Sequence, residues 1–215
     1  MSATSTGTEA PRTTARYRPD LQLIAQLVKD GSTVLDLGCG DGELMELLAT
    51  KKHARASGVE ISEEGVYRCI QRGLSVQHAD LDEGLGDYPD GSFDYVILSQ
   101  TLQAVRKPRL ILREMLRVGR LGIVSFPNFG HWRVRWELVR TGRMPKTKHL
   151  PYEWYDTPNI HLSTVRDFED LCDAESIRIR RAIYLANGRR IHRLVNLRAE
   201  TAVFVVEAGG RRSAG

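Results

Sequence analysis

Thr33-Val34-Leu35-Asp36-Leu37-Gly38-Cys39-Gly40-Asp41-Gly42-Glu43-Leu44 is the stretch that decides the fold. A short run of β-branched and leucine residues ends in three alternating glycines, and leucines at helical spacing follow, so the stretch reads as strand, tight loop and helix. Glycines at 38, 40 and 42 allow a sharp turn and let the backbone come close to a ligand. The first-turn N–H groups of the following helix lack intrahelical partners and are expected to face an anionic group of that ligand. A glycine-rich turn with no ligand is the competing reading.

Spacing narrows the ligand. The dinucleotide fingerprint places its third glycine three residues after the second, and that position here is Glu43. A pyrophosphate would meet Asp41 and Glu43 together. Asp36, just before the first glycine, suits instead a ligand with an ammonium or sulfonium group, and the Asp-x-Gly-x-Gly-x-Gly pattern resembles motif I of class I S-adenosylmethionine-dependent methyltransferases. That resemblance implies S-adenosylmethionine or S-adenosylhomocysteine as cofactor, held at Asp36, Gly38, Cys39, Gly40 and Gly42.

On the N-terminal side, Pro19-Asp20 starts a helix whose Leu21, Ile24, Leu27 and Val28 form a core-facing stripe ending at Asp30-Gly31. On the C-terminal side, Leu44, Leu47 and Leu48 line a helix that runs out near Lys51-Lys52. Residues 56–61 read as a second strand. Glu60 at its tip lies 22 residues beyond Gly38, where an acid can accept both hydroxyls of an adenosine ribose. An ordinary loop carboxylate is the alternative. Ser62 caps the next helix, closed by Gly73, and residues 74–78 form a third strand. In the methyltransferase pattern an acid after that strand binds the adenine amino group, which makes Asp80 the candidate. Ile61 and Leu81 flank these acids in the expected cofactor-binding set. The other acids of this region, Asp82, Glu83, Asp87, Asp90 and Asp94, read as a solvated loop patch.

Residues 93–98 form a fourth strand ending in Ser99-Gln100-Thr101-Leu102-Gln103, where ligands of such sheets collect. Ser99 joins the expected site. No Asn-Pro-Pro-aromatic or Asp-Pro-Pro-aromatic tetrad is present, and no His or acid follows the strand to serve as general base, so no catalytic residue is assigned. A helix over 108–118, with Leu110, Ile111, Met115 and Val118 inward, leads to a fifth strand at 123–126. Ser163-Thr164 caps a further helix, and 177–185 with 201–207 read as a closing antiparallel pair around a polar excursion containing Asn187-Gly188. The sum is α/β: a doubly wound, Rossmann-like seven-stranded sheet of order 3-2-1-4-5-7-6 with its last strand antiparallel.

At 215 residues the chain suits one domain, over 17–208, between tails at 1–16 and 209–215 expected to be disordered. Residues 1–18, with Arg12, Arg16 and Arg18 against Glu9, and the C-terminal Arg211 and Arg212 account for the whole net charge of +4. A neutral body is a poor nucleic-acid footprint. Cys39, Cys69 and Cys172 form no C-x-x-C pair, and no apolar run approaches a membrane span or a signal peptide, so a reducing cytoplasm is expected and no metal site.

Residues 127–163 stand apart as an insertion or lid holding all three tryptophans, Trp132, Trp136 and Trp154, with Tyr152, Tyr155 and several basic residues. Trp132, Trp136 and Val139, with Leu138, on one helix face could be core packing; the sharper alternative is a lid or docking surface. His131, His149 and His161 lack metal-ligand spacing and read as structural.

Several stretches resemble the MetW family of methionine biosynthesis proteins: Arg18-Pro19-Asp20-Leu21, the glycine loop, Leu98-Ser99-Gln100-Thr101-Leu102-Gln103, Phe126-Pro127-Asn128-Phe129-Gly130-His131-Trp132, and residues 150–161. The resemblance spans about 18–207 and implies a bacterial cytoplasmic protein of methyltransferase fold that works with homoserine O-acyltransferase, an acetyl- or succinyltransferase, in methionine synthesis. It supplies no methyl acceptor. A small-molecule methyltransferase and, behind it, an RNA methyltransferase are the alternatives.

Overall fold

The computed structural model describes residues 17–147 and 152–210 of the chain. The expected N-terminal tail, residues 211–215 of the C-terminal one, and His149 lie outside the described residues.

The glycine-loop strand β1 (Thr33–Leu37) lies inside the sheet. It pairs in parallel with β2 (Arg55–Glu60) on one side and β4 (Phe93–Ser99) on the other. β3 (Ser75–His78) extends the first side and β5 (Gly119–Pro127) the second, both parallel. Three strands follow in the chain: β6 (Ile177–Ala186), β7 (Arg189–Ile191) and β8 (Thr201–Ala208). β8 lies antiparallel between β5 and β6, giving the order β3-β2-β1-β4-β5-β8-β6-β7.

The sheet therefore has eight strands rather than the expected seven. The extra one comes from the polar excursion: Asn187 and Gly188 both take positive φ, 49° and 70°, and fold Arg189–Ile191 back onto β6. Two left-handed residues in succession make a tight turn whose twist matches the flanking strands. Without this edge strand the order and the antiparallel last strand are those read from the sequence.

Seven helices cover the described sheet: α1 (Pro19–Leu27), α2 (Glu43–Lys52), α3 (Glu63–Gln71), α4 (Pro108–Val118), α5 (Trp132–Thr141), α6 (Val165–Ala174) and the single turn α7 (Val195–Arg198). Two large hydrophobic clusters form. Leu21, Ile24, Leu44 and Leu48 pack on Val34, Ile97, Ile123 and Val203, while Ile111, Met115 and Phe168 pack on Leu35, Leu98, Val124 and Phe204. Adjacent strand residues such as Ile97 and Leu98 thus both find a core, which is why these strands read as continuous apolar runs. In α4 the buried residues are Ile111, Leu112, Met115 and Val118; Leu110, expected inward, is only half-buried at the edge of that stripe.

Residues 127–163 are anchored at both ends by one side chain. The buried Asn128 accepts from the amides of Gly130 and Val165 at 3.0 and 3.3 Å and donates to the carbonyls of Asn196 and Ala199 at 3.1 and 2.9 Å. Phe129 N–H donates to Ser163 O at 3.0 Å, and a capping box between Thr164 and Asp167 starts α6 where the segment ends.

Candidate functional site

The three loop glycines all take positive φ, but for different reasons. A Cβ on Gly38 would lie 2.5 Å from Thr101 Cγ2, and one on Gly42 would lie 2.4 Å from Leu74 Cδ1, so neighbouring side chains fill those places. A Cβ on Gly40 would meet no heavy atom within 4 Å. Gly40 therefore forms an open cradle at the carboxyl end of β1.

The loop amides are turned inward. Gly38 and Cys39 donate to Val59 O at 2.8 and 3.1 Å, Gly40 to Glu60 Oε2 at 2.7 Å, and Gly42 to Cys39 O at 3.0 Å. Glu43, the first residue of α2, donates to Asp41 Oδ1 at 3.3 Å. The expectation that the α2 N-terminus offers its first donor to a ligand thus fails at Glu43, because Asp41 is close enough to cap it. A phosphate nest built from these amides is absent, as the acidic residues of the loop predict.

Glu60 does more than end β2. Its buried carboxylate accepts from Gly40 through one oxygen and from Ser62 N–H through the other, the latter at 2.8 Å. Each carboxylate oxygen has a second acceptor site, which leaves capacity for two ribose hydroxyls. Gly65 of α3 makes room for it: a Cβ there would be 2.8 Å from both Glu60 Cγ and Gly40 O. Sequence reasoning missed Gly65, although a glycine inside an amphipathic helix was the available signal.

Asp36 is only 2% exposed, and its Oδ1 has no hydrogen-bond partner. Burial, aided by the nearby Glu60 and opposed by Arg18, pushes its carboxyl up to about 7 from the ordinary 3.8. An unpartnered buried acid is costly unless something cationic completes it. The Cys39 thiol packs 3.8 Å from that of Cys69, and burial pushes it up, away from reactivity, while its N–H and carbonyl are both taken by the loop.

Beyond β2, Ile61 is 61% exposed and presents an apolar surface beside the acids. Asp80 Oδ1 caps the short 3-10 turn Leu81–Glu83 by accepting from Asp82 N–H at 2.9 Å, with Leu81 buried beneath. The solvated-patch reading holds for Glu83, which is exposed, while the other four acids also make specific bonds. Asp82 accepts from the amides of Arg106 and Lys107, Asp90 pairs with Arg117, Asp87 accepts from Gln77, and Asp94 accepts from Thr33 N–H and Oγ1, which lowers its carboxyl.

At the end of β4, Ser99 meets the start of α1. Arg18 donates through Nε and Nη2 to Asp20 at 3.2 and 3.1 Å, and Nη2 lies 3.5 Å from Ser99 Oγ. Gln100, in left-handed conformation at φ 55°, donates its side-chain amide to the same Asp20 at 3.0 Å. Gln103 O accepts from the amides of Ile160 and His161, so the far part of the 127–163 segment rests on this strand end. The polar groups here hold positions; Asp20, the one carboxylate among them, is engaged by a guanidinium.

The packing reading of the tryptophans fails. Trp136 is 60% and Trp154 71% exposed, and Trp132 is exposed as well. Within α5 only Val134 is buried, and it lies some 200° around the helix from Trp132 and Trp136, so burying Val134 turns both tryptophans outward. His131 caps α5 by accepting from Arg133 N–H at 3.3 Å. Among the described residues no cluster of three or more His, Cys, Asp or Glu suits a metal, and no helix is long and apolar enough to cross a membrane.

Sheet order and glycine loop together define a protein of the S-adenosylmethionine-dependent methyltransferase fold. Solved neighbours carry that fold: a methyltransferase from Archaeoglobus fulgidus (TM-score 0.66, 15% identity, 87% of this chain and 90% of that one) and a possible histamine N-methyltransferase from Thermotoga maritima (0.64, 19%, 88% and 87%). The cyclase SpnF shares it too (0.62, 17%, 88% and 81%), so the fold does not by itself fix the reaction. More specifically, residues 18–206 match the model of the methionine biosynthesis protein MetW, and the chain belongs to that family. The bifunctional methionine biosynthesis protein MetXA/MetW of Rhodopirellula baltica is 38% identical over 206 residues, 89% of this chain and 33% of that protein. The chain thus spans about a third of that relative's length.

Proposed function

We propose that this protein is a cytoplasmic accessory factor of methionine synthesis that binds S-adenosylmethionine or S-adenosylhomocysteine and acts on homoserine O-acyltransferase. The observation that carries the reading is the relative in which MetXA and MetW form one polypeptide, aligned here over nearly the whole chain. Two functions fused in one protein act in proximity, and separate chains of the same families are expected to meet by association.

The residues present fit the cofactor. Asp36 is a buried carboxylate lacking a partner for one oxygen, and Gly40 opens a space that a Cβ would fill. In this reading Asp36 accepts the ammonium of the amino-acid end, Gly40 gives room to the chain beyond it, Glu60 accepts the ribose hydroxyls, and Ile61, Asp80 and Leu81 receive the adenine. When bound, the cofactor supplies an electrophilic methyl group. The strand-end groups Ser99, Gln100 and Gln103 position rather than remove protons, which favours the accessory role. A small-molecule methyltransferase is the second reading, because transfer to a good nucleophile needs mainly orientation.

The 127–163 segment, with its outward tryptophans, is assigned to contact with the acyltransferase. Adding the purified protein to the acyltransferase of the same organism tests the reading. Co-elution and a faster or longer-lived acyl transfer are expected. Two independent peaks with unchanged acyltransferase rate and half-life would remove it.

A further inference from the structure

The neutral body conceals a separation of charge. Residues 60–94, around the β3 edge of the sheet, hold nine acids against Arg68 and Arg72, whereas residues 177–199, around the β7 edge, hold seven arginines and no acid. Three of those arginines are engaged. Arg178 and Arg180 share Glu207 at 3.2 and 3.0 Å, and Arg190 donates to Gln26 of α1 at 3.2 Å. Arg181, Arg189, Arg193 and Arg198 are exposed and make no ion pair among the described residues.

Charge on an edge strand can serve only to repel pairing with another chain. That account covers Arg189 on the three-residue β7, but it does not reach Arg193, which lies beyond the strand, or Arg198, which ends α7. Nor are they neutralised by α6, the acidic helix packed on α7. Its Asp167 is used in the capping box, its Glu169 accepts from Tyr184 Oη at 3.2 Å, and none of its acids pairs with these arginines among the described residues.

Apolar groups stand among the charges. Leu194 is 68% exposed, and Leu197 is exposed as well. The α7 turn also joins the start of α5, because Asn128 Nδ2 donates to Asn196 O and a Cβ on Gly130 would lie 2.9 Å from the same oxygen. The tryptophan-bearing helix and the arginine-bearing turn thus meet at one corner. Aromatic rings, arginines and exposed leucines together suit a protein partner, since a phosphate backbone has no use for the leucines.

We infer that the docking surface runs from α5 across α7 to β7, and that the part of homoserine O-acyltransferase seated on it is acidic. The inference rests on the acyltransferase reading above and adds to it the chemistry of the partner's surface. Complementary charge of this kind speeds encounter and fixes orientation, and salt screens it.

Titration of the protein with the acyltransferase of the same organism, at about 50 and about 300 mM NaCl, tests the inference. Wild-type affinity is expected to fall about tenfold between the two. Arg193→Glu and Arg198→Glu should each weaken binding about fivefold or more at the lower salt and flatten the salt dependence, with Tm near that of wild type because both side chains are exposed. Arg68→Glu, the same change of charge at the β3 edge, should stay within twofold. The joint Arg193→Ala and Arg198→Ala variant, free of any new carboxylate, should show a partial loss with melting unchanged. Wild-type affinity unmoved by salt, an equal loss from Arg68→Glu, or full affinity in the arginine variants would each overturn the surface and leave the acyltransferase reading standing. A uridylate oligomer is the second probe: if it binds more tightly than the acyltransferase and the same arginine variants release it, the surface serves RNA and the inference falls. A wild type that binds no acyltransferase at either salt would end both readings.

Discussion

The Gly40 amide donates to the Glu60 carboxylate at 2.7 Å, joining the central glycine of the loop to the tip of the neighbouring strand. The residue proposed to hold ribose therefore also shapes the loop above it. Glu60→Gln keeps the size but offers one acceptor oxygen where the carboxylate offers two, so either Gly40 or Ser62 loses its acceptor. That loss should cost about 2 kcal/mol, lowering Tm by roughly 4–8 °C in a domain of this size. Cofactor affinity should fall tenfold or more. Unchanged melting would show that Glu60 does not organise the loop; unchanged affinity in a folded variant would remove the ribose assignment.

Gly40 and Gly31 provide a matched pair. Both have positive φ and neither would bring a Cβ within 4 Å of another atom, but Gly31 precedes β1 at the end of the strand far from the loop. Alanine at either site should lose about 1 kcal/mol from left-handed backbone alone. Only Gly40→Ala should weaken S-adenosylmethionine binding, by at least tenfold. Similar affinity in the two variants would mean that the space at Gly40 is not the cradle.

The strand order and the glycine loop were legible because they follow from short-range rules: apolar runs, turn residues, and spacing between Gly38 and Glu60. What the sequence hid depends on contacts across the fold. Nothing local shows that Val59 O would take up two loop amides, that Asp41 would cap α2, or that Asp20 and Gln100 would meet. The tryptophans misled for a related reason. Helical spacing shows that Trp132 and Trp136 share a face, but not which face turns inward, and Val134 decides that.

Asp36 makes a prediction in pH. Its carboxyl is raised to about 7 in the folded protein, so the folded state binds more protons than the unfolded one between about 4 and 7. The contribution of this group is fully present below the unfolded value and is lost as pH rises through the folded one. Measured as the difference between wild type and Asp36→Asn, the stability of the ligand-free wild type should decline across that window and level off above it. Affinity for the ammonium-bearing cofactor should move the other way, rising toward pH 7 as Asp36 ionises, and Asp36→Asn should abolish that slope. A difference that stays flat with pH would show that Asp36 is ionised throughout.

The outward face of α5 separates a partner interface from a structural role. Trp136 is 60% exposed, and the only buried residue of its helix lies on the other side. Removing an exposed ring should change stability by no more than about 0.5 kcal/mol, whereas a buried tryptophan would cost about 3–5 kcal/mol. Interface centres concentrate Trp, Tyr and Arg, and this segment sets Trp132, Trp136, Trp154 and Tyr155 outward among arginines. If it docks homoserine O-acyltransferase, Trp136→Ala or Trp132→Ala should leave the melting temperature near that of wild type while weakening capture of the enzyme about thirtyfold, the loss expected of a hot spot worth about 2 kcal/mol. Val134→Ala, directed at the buried side, should do the reverse, lowering Tm with capture of the folded fraction intact. If the tryptophan variants keep their partner at full affinity while Val134→Ala behaves as stated, the helix is sound but the acyltransferase binds elsewhere on the protein.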